Sequence, residues 1–138
     1  MTNPTGGEIR KDLSGDGRYG ASRGHRKHLG TDYVGSPGQP ARQPISGKII
    51  RSIRAYNDTA EYRGVEIVGK HMTVKMLYVD PYAELIGKHV DEGDFIGTVQ
   101  DVTLHYKNPQ PGDQPHVHLE VVSIDPEYLI FNKAFLED

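Results

Sequence analysis

The stretch YRGVEIVGKHMTVKMLYVD, residues 62–80, decides how the fold is read. It holds two β-branched or alternating runs, YRGVEIVGK (62–70) and MTVKMLYVD (72–80), joined directly through Gly-Lys-His. Alternation at a period of two is what a half-buried strand requires, and so short a link predicts an antiparallel hairpin. Outward from this pair, ISGKIIRSIRA (45–55), FIGTVQDV (95–102) and HVHLEVV (116–122) have the same texture. Gly, Pro, Asn or Asp separate most of the runs, as turns demand. DPEYLIFNKAFL (125–136) is the one helix candidate, with Asp125 as its cap and Pro126 in the first turn. Residues 1–24, polar and Gly-rich with GDGRYG at 15–20, read as an irregular N-terminal arm before a single domain over 25–138. The pattern predicts a mainly β protein: a small antiparallel sheet and one short C-terminal helix.

Composition narrows the classes of function. At 138 residues the chain is long enough for one core and too short for two. Sixteen Gly and nine Pro favour turns and short strands over long helices. A net charge of −3 gives no electrostatic reason to expect nucleic acid or an anionic membrane as partner. No run approaches the roughly 18 apolar residues of a membrane span. Cysteine is absent, which excludes disulfides and thiolate metal sites. The opening MTNPTGGEIR has no apolar stretch and does not read as a secretory signal, so the expectation is synthesis in a cytoplasm without export by the general route.

Three of the seven histidines fall in two local patterns: His28-Leu-Gly-Thr-Asp32, read as a loop in which Gly30 relaxes the backbone, and His116-Val-His118 followed by Leu119-Glu120. On a strand, His116, His118 and Glu120 project from one face while Val117, Leu119 and Val121 pack on the other. Two histidines and a carboxylate suit zinc and leave a fourth position open, the catalytic arrangement. An amphipathic strand also acquires an HxH by chance, and spacing alone does not choose between the two readings. His25 and His89 read as solvated or turn residues. Arg23 and the RGHRK run (23–27) place basic groups beside the pattern, which suits carboxylate-bearing peptides or a merely solvated face.

HLGTDY (28–33), QPISGKII (43–50), GVEIV (64–68), VDEGDFIGTV (90–99) and HVHLEV (116–121) together resemble the lysostaphin-type (LytM-like) zinc endopeptidases, in order and approximate spacing. GRYGASRGHRKHLGTD (17–32), VKMLYVDP (74–81) and PHVHLEV (115–121) extend the likeness to the leukocyte cell-derived chemotaxin branch of that superfamily. The resemblance implies a central antiparallel sheet flooring a groove walled by loops. It implies Zn2+ held by His28, Asp32 and His118, with His116 as general base and then acid toward a peptide bond of bacterial peptidoglycan. The opening without an apolar stretch fits a bacteriophage lysin or virion component, released at lysis or held by assembly partners. Active relatives carry a further histidine in a Tyr-x-His context, where this chain has Tyr78-Val79-Asp80. Asp80 as a base, or His105 or His71 swung into the site, are the expected substitutes. The alternative is a catalytically inactive zinc-binding module, as in the chemotaxin branch.

Overall fold

The computed structural model describes residues 1–130. Eleven strands follow in chain order: β1 Lys11–Asp12, β2 Gly15–Asp16, β3 Thr31–Val34, β4 Pro40–Arg42, β5 Gly47–Arg54, β6 Arg63–Val68, β7 Met72–Leu77, β8 Val79–Pro81, β9 His89–Val90, β10 Phe95–Val99 and β11 His116–Ile124. Two short 3-10 turns, Ala83–Leu85 and Val102–His105, lie between them. The principal sheet has six strands in the order β3-β11-β7-β6-β5-β9, a second has β4-β10-β8, and β1-β2 form a minimal ribbon. Every pairing is antiparallel. The β6–β7 hairpin forms as predicted, with Val68 opposite Thr73 and the Gly69 amide donating to the Met72 carbonyl.

The core lies between the two larger sheets. Val65, Ile67, Val74, Met76, Val117 and Leu119 from the six-stranded sheet meet Ala41, Val79, Ile96 and Val99 from the three-stranded one. Because side chains alternate along a strand, burying Val74 and Met76 turns Lys75 and Leu77 toward the opposite face. In β11 the same rule buries Val117 in the core and presents His116, His118 and Glu120 beside Lys75 and Leu77.

The run 72–80 departs from the single strand its texture predicts. At Tyr78 φ is +71°, the one positive value outside glycine among the described residues, and the chain passes from β7 in one sheet to β8 in the other. Unbroken alternation would place Tyr78 beside Val74 and Met76 in the core. The kink inverts the phase: Val79 is buried, Tyr78 reaches the cleft face, and Asp80 is exposed. The helix begins at Pro126 as expected, with Asp125 Oδ1 accepting from the Glu127 amide at 2.9 Å. Residues 131–136 of the predicted helix lie outside the described residues.

The arm is part of the structure around β3. Its Ile9 bridges to Tyr33, and the Asp32 amide donates to the Gly17 carbonyl while the Asp32 carbonyl accepts from the Arg10 amide, each at 2.8 Å. No helix among the described residues is long and apolar enough to cross a membrane.

Candidate metal centre

Strand pairing brings the two histidine patterns together. His118 on β11 stands directly opposite Asp32 on β3, so these residues are cross-strand neighbours despite 86 positions of sequence separation. Asp32 therefore sits on a strand, and the loop reading of the His-Leu-Gly-Thr-Asp pattern holds only for its first half. His28 precedes that strand, its backbone tied at 2.8 Å to Gly20 and Ala21 of the arm. Gly30 does not serve by a relaxed φ. A Cβ there would lie 2.5 Å from the Leu119 carbonyl oxygen and 2.6 Å from His118 Cε1, so absence of a side chain is what lets His118 approach.

The three predicted ligands are all buried and meet at one point. His28 Nε2 lies 3.0 Å from His118 Nδ1, His118 Nδ1 lies 3.1 Å from Asp32 Oδ1, and Asp32 Oδ1 lies 3.2 Å from His28 Nε2. With metal–ligand bonds of about 2.0–2.1 Å, a tetrahedral face has edges of about 3.3 Å. The observed triangle is a slightly contracted version of that face.

Hydrogen bonds on the far side of each ligand set its protonation. His28 Nδ1 is 3.1 Å from the Arg18 carbonyl, which only accepts, so Nδ1 carries the proton and Nε2 keeps its lone pair. His118 Nε2 donates to Glu120 Oε1 at 3.0 Å, leaving Nδ1 for the shared point. Asp32 Oδ2 accepts from Arg10 Nε at 3.2 Å and leaves Oδ1 inward. Three lone-pair atoms thus converge, an arrangement that a metal cation between them fits. Burial would raise the Asp32 carboxyl, but its contacts with His118, His116 and His28 hold it below the usual carboxylate range. Burial lowers His28 against the pull of Asp32, which keeps its imidazole neutral and able to ligate.

His116 lies beside the triangle, with Nε2 3.7 Å from Asp32 Oδ2 and Nδ1 donating to the Gln114 carbonyl at 2.8 Å. Burial lowers its pKa too, so Nε2 is an unprotonated base near neutrality. The Tyr78 ring stands edge-on to His116 at a centroid distance of 5.4 Å. Its hydroxyl is 3.4 Å from that of Tyr56, and burial pushes the phenol far above its ordinary pKa. The centre is on the floor of an open cleft of about 820 Å³ whose walls include the arm, residues 23–29 and residues 106–110.

The three expected substitutes for the missing histidine are not brought to this point. Asp80 is exposed in the three-stranded sheet, opposite Thr98, because the kink at Tyr78 diverts the chain before it. The group this stretch delivers beside His116 is Tyr78, which corrects the expectation that Asp80 takes the missing histidine's place. His105 stacks on Tyr56 at 4.1 Å and lies 3.7 Å from Asp58, outside the cleft lining. His71 is at the β6–β7 turn, stacked on Tyr128. His25 and His89 are exposed. Sequence reading missed Arg10, whose buried guanidinium also pairs with Asp12 at 2.8 Å. No local pattern marks it, since its partner is 22 positions away.

No family model matches the chain. It is 34% identical over 115 residues to leukocyte cell-derived chemotaxin-2 of Mus musculus, covering 82% of this chain and 72% of that protein. Among solved structures, LytU superposes with a TM-score of 0.58 at 21% identity, covering 92% of this chain and 86% of its own. The catalytic domain of the antimicrobial peptidase lysostaphin from Staphylococcus simulans superposes with a TM-score of 0.54, also at 21% identity, over 89% of this chain and 92% of that domain. The 34% relative places the chain in the leukocyte cell-derived chemotaxin-2 family, and the superpositions show that it has the lysostaphin-type peptidase fold.

Proposed function

We propose that this protein is a zinc-dependent endopeptidase that cuts peptide cross-links or stem peptides of bacterial peptidoglycan. One observation carries the reading: the buried triangle of His28 Nε2, Asp32 Oδ1 and His118 Nδ1 opens onto a cleft with the bare Nε2 of His116 beside it. Zinc bound to the triangle supplies Lewis acidity and an acidified water at neutral pH. Everything else is the work of the chain. The Gln114 carbonyl holds the His116 proton on Nδ1, so Nε2 takes a proton from the nucleophile and returns it to the leaving amine. Arg10 neutralises the outward oxygen of Asp32 and keeps the inward one aimed. Tyr78 stays protonated and is a donor for the oxygen on which charge develops.

A second reading has its own support: the relative at 34% identity is named as a chemotaxin, and a tyrosine, not a histidine, flanks His116. There the same zinc site would stabilise a module that binds without cutting. Mass spectrometry of purified peptidoglycan, incubated with zinc-loaded protein or with its His116→Ala variant, separates the two. New peptide ends made by the wild type and absent with the variant are the expected result. Intact cross-links in the presence of one bound zinc per chain would retire the endopeptidase and leave the binding module.

A further inference from the structure

The chain as a whole carries a net charge of −3, yet its cleft is positive. Five cationic side chains line it against two carboxylates, Asp32 and Glu120. Some of that charge is already matched. Arg10 is taken up by Asp12 and Asp32, and Lys75 lies 3.5 Å from Glu120. Arg23 donates to the Asp16 carbonyl at 2.8 Å and is 3.8 Å from Asp32 Oδ2.

Arg26 and Lys107 are different. Both are exposed, both face the cleft, and neither pairs with a carboxylate among the described residues. They come from separate loops: Arg26 from the turn closed by the Ser22–Lys27 bridge, Lys107 from the segment after the Val102–His105 turn. Exposed cations on a basic protein need no explanation beyond solubility. On an acidic protein they run against the overall sign, and gathering them round one cleft focuses a positive potential there.

We infer that the cleft takes an acidic peptide, whose carboxylates reach Arg26 and Lys107 while its backbone lies over the metal centre. This rests on the endopeptidase reading above, which assigns a peptide to the cleft. Arg26 and Lys107 then determine specificity without touching the reacting atoms.

Calorimetric titration of the zinc-loaded protein tests it with two synthetic probes. One is acetyl-Ala-Glu-Ala-Glu-Ala with a free carboxyl end; the other is the Gln counterpart with an amidated end. The expected result is binding of the acidic probe about tenfold tighter or more, with the difference shrinking as salt is raised. The double variant Arg26→Glu/Lys107→Glu, with its zinc content and melting temperature verified, should lose that preference. Equal affinity for the two probes overturns the inference. So does a preference that survives the double variant, since the carboxylates would then be going to the metal. Binding of a sulfated oligosaccharide without binding of the acidic peptide overturns it as well. Peptidoglycan cleavage is read separately: an enzyme that cuts but ignores probe charge loses this inference alone, and one that binds the acidic probe without cutting loses only the peptidase.

Discussion

At Glu120 one carboxylate oxygen decides which nitrogen of His118 is available. With Nε2 donating to Oε1, only Nδ1 can ligate, and the ring is held against rotation. Glu120→Gln keeps the shape but weakens the acceptor and lets the amide present a donor to the same nitrogen. Zinc affinity should fall about 10–100-fold, measured by competition with a chromophoric chelator, while the metal-free melting temperature changes little. An unchanged affinity would mean that strand pairing alone orients His118. That Glu120 shares a face with His118 is legible in the HxHxE alternation. The role of Tyr78 is not, because period-two reading sends it to the core, and only the positive φ turns it to His116. A non-glycine residue held there stores about 1–3 kcal/mol of strain, a cost that clusters at functional sites.

Two strands and one close approach build the centre at the scale of elements. β3 is the edge of the six-stranded sheet and β11 its neighbour, so Asp32 and His118 face each other only while that pairing holds. Gly30 lies where the two elements touch most closely, its site for a Cβ facing both the Leu119 backbone and the His118 ring. Neither neighbour is a flexible side-chain end free to move aside. Gly30→Ala should destabilise the protein by about 1–3 kcal/mol through overpacking and weaken zinc binding together with it. Denaturant melts and zinc titration check this, and a variant with wild-type values in both would show that β11 shifts freely against the loop. The arm acts at the same scale. By pairing with the backbone of Asp32 and delivering Arg10 to its side chain, it closes the exposed edge of the sheet.

Across the whole molecule, burial of the histidine cluster links stability to acidity. His28 and His116 have depressed pKa values chiefly through burial, so the unfolded chain binds protons there at a pH where the folded chain does not. Stability from this source is complete above the ordinary histidine value of about 6.5 and is lost as pH falls toward the folded values. Asp32, also depressed, adds a further loss below about 4. The metal-free protein should therefore melt progressively lower from pH 7 to pH 5. Zinc should raise the melting temperature most at neutral pH, because protons compete for the same nitrogens. Calorimetric scans across that range provide the check. A metal-free melting temperature that is flat or rises on acidification would show that the buried cluster tolerates charge.

Sequence by itself marked the residues that offer metal-ligating groups and the runs that become strands. The reason is that both are local: alternation at a period of two places His116 and His118 on one face of β11, and His28 with Asp32 lie within one short segment. Family likeness supplied the pairing of the two patterns. What only the tertiary structure decided depends on approach between distant segments. Arg10 meets Asp32 because the arm lies along β3. The stretch 78–80 delivers a tyrosine to the site and leaves Asp80 exposed because one backbone torsion moves the chain between sheets. Gly30 is needed for the space that β11 leaves it, a distance no spacing along the chain contains.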